Sequence, residues 1–142
     1  MSDCKAILTP MATIVKSSTI GGVPFSDVSH YRPIVGALQY VTLIRPDVAF
    51  CINRACQAMH SPIEEDWTLV KQILCYLKGT SSHGLFFEHS PNFTLQAFND
   101  ADWARSSSDR HSTGGYAIFL GPNLISWQSR KQKTISRSST ES

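Results

Sequence analysis

Residues 97–104 have the sequence Ala-Phe-Asn-Asp-Ala-Asp-Trp-Ala, and they close an apolar run that begins at Phe93. The run predicts a β-strand that carries two carboxylates, Asp100 and Asp102, at its C-terminal end. Because alternate residues of a strand face the same side, we expect both aspartates on one face of a sheet. Nucleases hold Mg²⁺ with carboxylates of this kind, whereas aspartates at strand ends more commonly act as turn or cap residues. The pair alone leaves both interpretations open.

The segments around this strand predict an antiparallel β-meander. Before it, Leu85–Phe87 predicts a short strand that would form a hairpin with 93–98. After it, Gly115–Leu120 predicts a strand with apolar residues on both faces, which is typical of a strand covered on both sides. The turn residues Gly121-Pro122-Asn123 then lead into a further strand over Leu124–Trp127.

Residues 27–79 predict three helices, because apolar residues recur there at spacings of three and four. For the first helix, Asp27 or Ser29 is the expected N-cap, and Pro33 indicates a start close to that proline. The second is expected to begin at Pro46-Asp47. The expected apolar faces of these two helices are Tyr31, Ile34, Val35, Leu38 and Val41, then Val48, Cys51, Ile52, Ala55 and Met59.

The third helix has the clearest terminal signals. Ser61 is the expected N-cap, Pro62 the first helical residue, and Gly79 the residue that ends the helix in the left-handed conformation. Its expected apolar face consists of Ile63, Trp67, Val70, Leu74 and Leu77. The simplest prediction is that the three apolar faces pack on one another as a small bundle.

Length and composition restrict the class of protein. The 142 residues correspond to one or two small domains, and the net charge of +2 is too small to indicate nucleic-acid binding by itself. Residues 1–26 show no sustained periodicity and predict a loop or extended lead-in. Four cysteines lack Cys-x-x-Cys spacing, and we find neither a secretory segment nor a membrane-spanning run. We therefore expect reduced thiols, an intracellular location and no membrane partner.

Several motifs resemble, in order and near-family spacing, the ribonuclease H region of copia-type retrotransposon Pol polyproteins. They are Asp100 to Ala104, Asp109 to Tyr116, Phe119 to Gly121, Asn123 to Trp127 and Arg130 to Glu141. Upstream blocks resemble the segment that follows the reverse-transcriptase palm in the same polyproteins. They are Tyr31 to Tyr40, Arg45-Pro46-Asp47, Tyr76 to Thr80 and His83-Gly84-Leu85.

The resemblance implies an α+β chain in which residues 27–83 form a helical thumb/connection-like segment and residues 84–142 the first half of a ribonuclease H-like domain. It implies that Asp100 is the first of the carboxylates that bind Mg²⁺ in the complete domain. The family pattern Ser-Thr-Glu-Ala-Glu-Tyr would place the catalytic glutamate just after Ser142. The resemblance therefore predicts a retrotransposon remnant with a vestigial Asp100 site, no functional Mg²⁺ and no independent catalysis.

A basic run near the C-terminus suggests a nucleic-acid partner. Its members are Arg130, Lys131, Lys133 and Arg137. They are equally compatible with a solvated strand edge and with phosphate contacts to an RNA–DNA hybrid. A hybrid-binding module therefore stays open as an alternative to a remnant. A separate alternative is a ribonuclease H completed in trans by a second polypeptide that carries the missing carboxylates. Self-association through an exposed sheet is a further expectation.

Overall fold

The computed structural model describes residues 5, 7–11, 22–102 and 113–131 of the chain. The chain divides into two compact units, Met1–Gly84 and Leu85–Ser142. The described part of the first unit is helical and that of the second is a sheet, so the predicted α+β class is confirmed. The helices are α1 (Val28–Val41), α2 (Ala49–Gln57, preceded by a 3₁₀ turn over Pro46–Val48) and α3 (Glu64–Gly79), and the strands are β1 (Leu95–Asp102), β2 (Thr113–Leu120) and β3 (Asn123–Lys131).

Helix α1 begins earlier than Pro33 suggested. The Asp27 carboxylate accepts the His30 backbone N–H at 2.9 Å, so the predicted N-cap is confirmed and the helix begins at Val28. Pro33 therefore lies inside the helix, and the prediction of a start close to it is wrong. The cap stabilises the first turn, and the one backbone hydrogen bond that proline lacks does not stop a helix started five residues earlier.

Helix α3 begins two residues later than predicted. Its N-cap is Ile63, whose N–H is accepted by the Asp66 carboxylate at 3.0 Å, and the Glu64 N–H donates to the Val23 carbonyl at 3.0 Å. Pro62 is not helical, and its carbonyl accepts the Phe25 N–H at 2.9 Å. The predicted Ser61 cap and Pro62 start are therefore wrong, because a distant segment around Val23 supplies the partner for the helix N-terminus.

The end of α3 also differs from the prediction. Gly79 lies within the helix, and the C-cap is Thr80 with a φ of −122°. The Thr80 N–H and hydroxyl both bond to the Tyr76 carbonyl, at 2.9 and 2.8 Å. A threonine that satisfies a terminal carbonyl in this way removes the need for a left-handed glycine.

The three helices bury one apolar core, as predicted. Its buried members are Tyr31, Val35, Leu38, Val48, Cys51, Ile52, Ala55, Val70 and Ile73. The Tyr31 hydroxyl donates to the Ala55 carbonyl at 2.8 Å, so the one polar atom of this ring has a partner. The lead-in contributes as well, because the Phe25 ring stacks on Trp67 with centroids 5.0 Å apart.

The sheet has the order β1-β2-β3 with both pairs antiparallel, which confirms the predicted meander for these three strands. The β2–β3 turn has Gly121 at a φ of 56° followed by Pro122. Because proline fixes φ near −65°, a positive first φ here gives the type II′ pattern that suits a two-residue hairpin. A Cβ at Gly121 would collide with the Asn92 carbonyl oxygen, so this position needs glycine.

The predicted strand over Leu85–Phe87 is wrong. Phe86 and Phe87 are 85% and 60% exposed, and no strand is present between Gly84 and Thr94. The Asn123 side chain binds this segment instead. Its amide oxygen accepts the Glu88 N–H at 2.7 Å, and its amide nitrogen donates to the Glu88 carbonyl at 2.9 Å. A side-chain amide thus takes the place of a backbone partner.

The expectation that the sheet is covered on both sides is also wrong for the part of the chain that the structure describes. No described residue from Leu85 onward is buried. Phe98 is 58% exposed, and its ring meets Phe119 edge-on with centroids 5.9 Å apart. Apolar residues on both faces therefore do not imply cover on both faces within one short segment.

The prediction that the cysteines are reduced thiols is confirmed only in part. Cys51 and Cys56 are free thiols in the helical unit, and burial raises the pKa of Cys51 to about 11. Cys75 is disulfide-bonded, so the expectation of reduced thiols is wrong for this residue. Spacing along the sequence does not show which thiols a fold brings together. In the described ranges, no helix is long and apolar enough to cross a membrane.

Candidate functional site

Asp100 lies within strand β1, near its C-terminal end, and is exposed. It pairs in register with Gly115 of β2, which in turn pairs with Ser129 of β3. The next row on the same face contains Phe98, Ala117 and Trp127. Asp100 therefore lies beside small residues and one row from an aromatic group, on an accessible face of the sheet.

The remaining residues of the predicted site are only partly described. Asp102 is in β1 opposite Thr113, but its side chain lies outside the described part. Residues 103–112 and 132–142, which include Lys133 and Arg137, are outside it as well. The prediction that Asp100 and Asp102 present both carboxylates on one face stays a prediction.

The donor set around Asp100 is too small for a metal centre in the described residues. Among the described side chains, no three from His, Cys, Asp or Glu group together as metal ligands would. A two-metal nuclease site needs several carboxylates around ions about 3.5–4 Å apart. The described side chains do not fit such a site, and we derive no catalytic step through Mg²⁺.

The two described members of the basic run occupy consecutive positions of β3. Arg130 is exposed and pairs with Gly114, whereas Ser129, its neighbour, pairs with Gly115 opposite Asp100. Arg130 therefore lies on the face opposite Asp100. Lys131 pairs with Thr113. Because neighbouring positions in a strand alternate between faces, the backbone positions of Arg130 and Lys131 belong to opposite faces of β3.

A polar network in the helical unit has the best-defined geometry of any group of charged side chains in the described residues. Arg45 is 5% exposed and binds Asp47 with two bonds, Nε to Oδ1 at 2.9 Å and Nη2 to Oδ2 at 2.7 Å. The same guanidinium donates to the Thr80 carbonyl at 2.9 Å and to the Thr80 hydroxyl at 2.8 Å. The Tyr76 hydroxyl donates to Asp47 Oδ2 at 2.8 Å, and its ring lies 5.6 Å from the guanidinium.

These contacts shift the titration of each member in the expected direction. The hydrogen bond from Arg45 lowers the pKa of Asp47 below its usual 3.8, and the bond to Asp47 raises the pKa of Arg45. The bond that Tyr76 donates to Asp47 raises the pKa of the phenol. A bidentate, charge-assisted pair is the strong form of this interaction. Each of the three guanidinium nitrogens donates to Asp47 or Thr80. Arg45 therefore links the turn before α2 to the end of α3, and it does not act as a phosphate ligand.

The sequence analysis identified both segments that form this network, but it did not predict that they contact each other. Arg45-Pro46-Asp47 and Tyr76 to Thr80 are both motifs on which the resemblance rests, yet about thirty positions separate them. A signal that could have indicated the network, and that the sequence analysis did not use, is an arginine flanked by apolar residues, because a charge in such a place requires a partner elsewhere in the fold.

The retrovirus-related Pol polyprotein from transposon RE2 of Arabidopsis thaliana is 45% identical to this chain over 141 residues. That alignment covers 99% of the chain and includes both motifs of the Arg45 network and the Asp100 strand. The chain belongs to the copia-type retrotransposon Pol polyprotein family. It spans 10% of the length of the RE2 polyprotein.

Two shorter relatives contain the same segment. An uncharacterized mitochondrial protein of Arabidopsis thaliana is 48% identical over 141 residues, which are 99% of this chain and 58% of that protein. A secreted RxLR effector protein of Plasmopara viticola is 38% identical over 112 residues, which are 78% of this chain and 79% of that protein. The matching segment therefore makes up 58% of the first of these proteins and 79% of the second.

The other comparisons add no family or fold. No family model matches the chain, and no solved structure matches it.

Proposed function

We propose that this chain is a copia-type Pol remnant that carries the connection between the polymerase and ribonuclease H regions, without catalysis of its own. The observation that carries the proposal is the match of 141 residues to a single stretch of the RE2 polyprotein. In this proposal the helical unit corresponds to thumb/connection elements. The meander corresponds to the first strands of a ribonuclease H-like sheet.

The placement of Asp100 supports this assignment. The residue lies on the first strand of the meander, is accessible, and neighbours glycine across the strand pair. Glycine leaves room beside the carboxylate, and a rigid strand fixes its position, which are both requirements of a metal ligand. In a complete domain, Asp100 would supply one carboxylate of the Mg²⁺ site, and the other carboxylates would have to come from additional residues.

A chimera tests the role of Asp100. We expect a Pol polyprotein in which this chain replaces the matching stretch to retain Mg²⁺-dependent cleavage of RNA in an RNA–DNA hybrid. The Asp100→Asn variant should lose that cleavage, whereas Asp102→Asn should change it much less. The 142-residue chain alone should not cleave. Cleavage by the chain alone that disappears in Asp100→Asn would overturn the proposed lack of catalysis.

Binding to an RNA–DNA hybrid is a second candidate function, favoured by the exposed Arg130 beside Lys131 at the end of β3. An exposed cation at a strand end can contact a backbone phosphate of a duplex. Such contacts would be independent of sequence and sensitive to salt.

Salt titration separates these outcomes for the four cations of the run. If Arg130, Lys131, Lys133 and Arg137 contact phosphates, replacing any one by alanine should reduce the slope of log K against log salt by about one. Lys71→Ala removes an exposed cation from α3 and serves as the matched control with an unchanged slope. Equal hybrid binding by the wild type and the fourfold alanine variant at low salt would contradict a nucleic-acid role.

A further inference from the structure

The turn between β2 and β3 holds the segment of chain that leads into β1. The Asn123 side chain forms two hydrogen bonds with the Glu88 backbone, at 2.7 and 2.9 Å. At the other end of the segment, the Gly121 N–H donates to the Thr94 carbonyl at 2.9 Å. The turn therefore binds residues 88–94 at both ends.

Hydrogen bonds within this segment also fix its conformation. The Asn92 N–H donates to the Ser90 hydroxyl at 3.1 Å, and the Asn92 amide oxygen accepts the Thr94 N–H at 2.9 Å. Side-chain bonds of this kind define a local turn. The Asn92 carbonyl lies so close to Gly121 that a Cβ on that glycine would collide with its oxygen. Because the segment is bonded internally and at both ends, β1 cannot move along β2 by one residue unless some of these contacts break.

The usual determinants of strand register are weak in the described part of β1. A buried face normally selects the register, because a shift by one residue turns its apolar side chains toward solvent. Residues 95–100 are all exposed. A two-residue turn also fixes the register of a hairpin, but residues 103–112 separate β1 from β2. The contacts of residues 88–94 with the β2–β3 turn supply the missing restraint.

We propose that Asn123 is a positioning residue that fixes the register of β1 on β2 and, through it, the face on which Asp100 lies. In the observed register Asp100 is opposite Gly115, on the face that also contains Ser129. Because side chains alternate along a strand, a shift of β1 by one residue moves Asp100 to the other face. The consequence for Asp100 rests on the proposed function, whereas the register itself does not.

Engineered disulfides between β1 and β2 measure the register. Ala97 is directly opposite Ile118, and opposed residues have Cβ atoms about 4.5–5.5 Å apart, so Ala97→Cys with Ile118→Cys should form a link under mild oxidation. Ala97→Cys with Ala117→Cys or Phe119→Cys should link poorly, because these side chains lie on opposite faces. Adding Asn123→Ala should lower the yield of the 97–118 link relative to the shifted links about tenfold or more, since both bonds to Glu88 are lost. Peptide mass spectrometry identifies each link.

Two controls separate a change of register from a general loss of structure. Asn99→Ala removes an exposed asparagine from β1 itself and should leave every yield unchanged. Tyr116→Cys with Gln128→Cys links β2 to β3 and should form equally with and without Asn123→Ala. Unchanged β1–β2 yields in Asn123→Ala would overturn the proposal, as would equal changes in Asn99→Ala. Loss of the 97–118 link without a gain of either shifted link, or together with the 116–128 link, would overturn it as well.

Cleavage by the chimeric Pol polyprotein distinguishes this inference from the proposed function. Asn123→Ala should lower kcat for the RNA–DNA hybrid in proportion to the loss of the observed register and leave KM nearly unchanged, because Asp100 acts in the chemical step. A shifted register with full cleavage would support the role of Asn123 and contradict the metal role of Asp100. An unchanged register with reduced cleavage would overturn the role of Asn123 and leave that of Asp100 in place.

Discussion

Replacing Arg45 by methionine should lower the free energy of unfolding of the helical unit by about 2 kcal/mol. Methionine fills much of the space of the buried stem but donates no hydrogen bond, so both acceptors of Thr80 lose the guanidinium donor. Asp47 loses its two bonds from Arg45 and keeps the one from the Tyr76 hydroxyl. Breaking a fully buried ion pair costs about 3–5 kcal/mol. The cost here should be smaller because the Asp47 side chain is 39% exposed. Urea denaturation followed by helical circular dichroism measures the change.

Two further variants identify the cause of that loss. Lys71→Met likewise replaces a basic side chain by methionine, at an exposed position of α3, and should alter stability by less than about 0.5 kcal/mol. Arg45→Lys keeps the charge but cannot form the bidentate bond, so it should recover only part of the lost stability. Full recovery by lysine would show that charge alone matters and would contradict the clamp geometry.

The helices could be predicted because their apolar periodicity is a local property of the sequence. Their ends could not, because the partners that determine them come from other segments. Val23 accepts the first N–H of α3, which moves its start past Pro62. Ile73 is fully buried although it was absent from the predicted apolar face. Ile73 lies three positions after Val70, whereas the predicted apolar face continued from Val70 to Leu74, four positions on. Both spacings are compatible with one face of a helix, so spacing alone did not select the buried residue.

The sheet illustrates the same distinction. The strands containing Asp100 and Phe119 were predicted from alternation and turn residues, and the meander follows from short connections. The segment around Phe86 has the composition of a strand, but it forms none, and its backbone at Glu88 bonds to the Asn123 side-chain amide. Such a replacement depends on one side chain about thirty-five positions away, which no local pattern indicates.

The candidate site was predictable only in its individual residues. The placement of Asp100 in a strand followed from the sequence, and strand alternation alone places Arg130 and Lys131 on opposite faces. The Arg45 network required the packing of α3 against the turn before α2. Contacts of this kind arise from tertiary structure, so a family motif can indicate that its residues matter without indicating what they touch.

The two units should differ widely in protection from amide hydrogen exchange. Every buried apolar side chain in the described residues lies between Tyr31 and Ile73, and none lies in the sheet. The opening free energy of a segment increases with the apolar area that it buries. We therefore expect residues 27–79 to exchange slowly and residues 93–128 to be weakly protected or self-associated.

Exchange followed by mass spectrometry at low protein concentration gives the size of this difference. Core amides of the helical unit should exchange roughly a hundredfold more slowly than those of the meander, because about 1.4 kcal/mol of opening free energy corresponds to a factor of ten. Raising the concentration should slow exchange in β1 if copies associate, and should leave α2 and α3 unchanged. Equally slow exchange in both units of a monomer would show that the sheet is stable without further cover. The stability of the chain would then not reside mainly in the helical core.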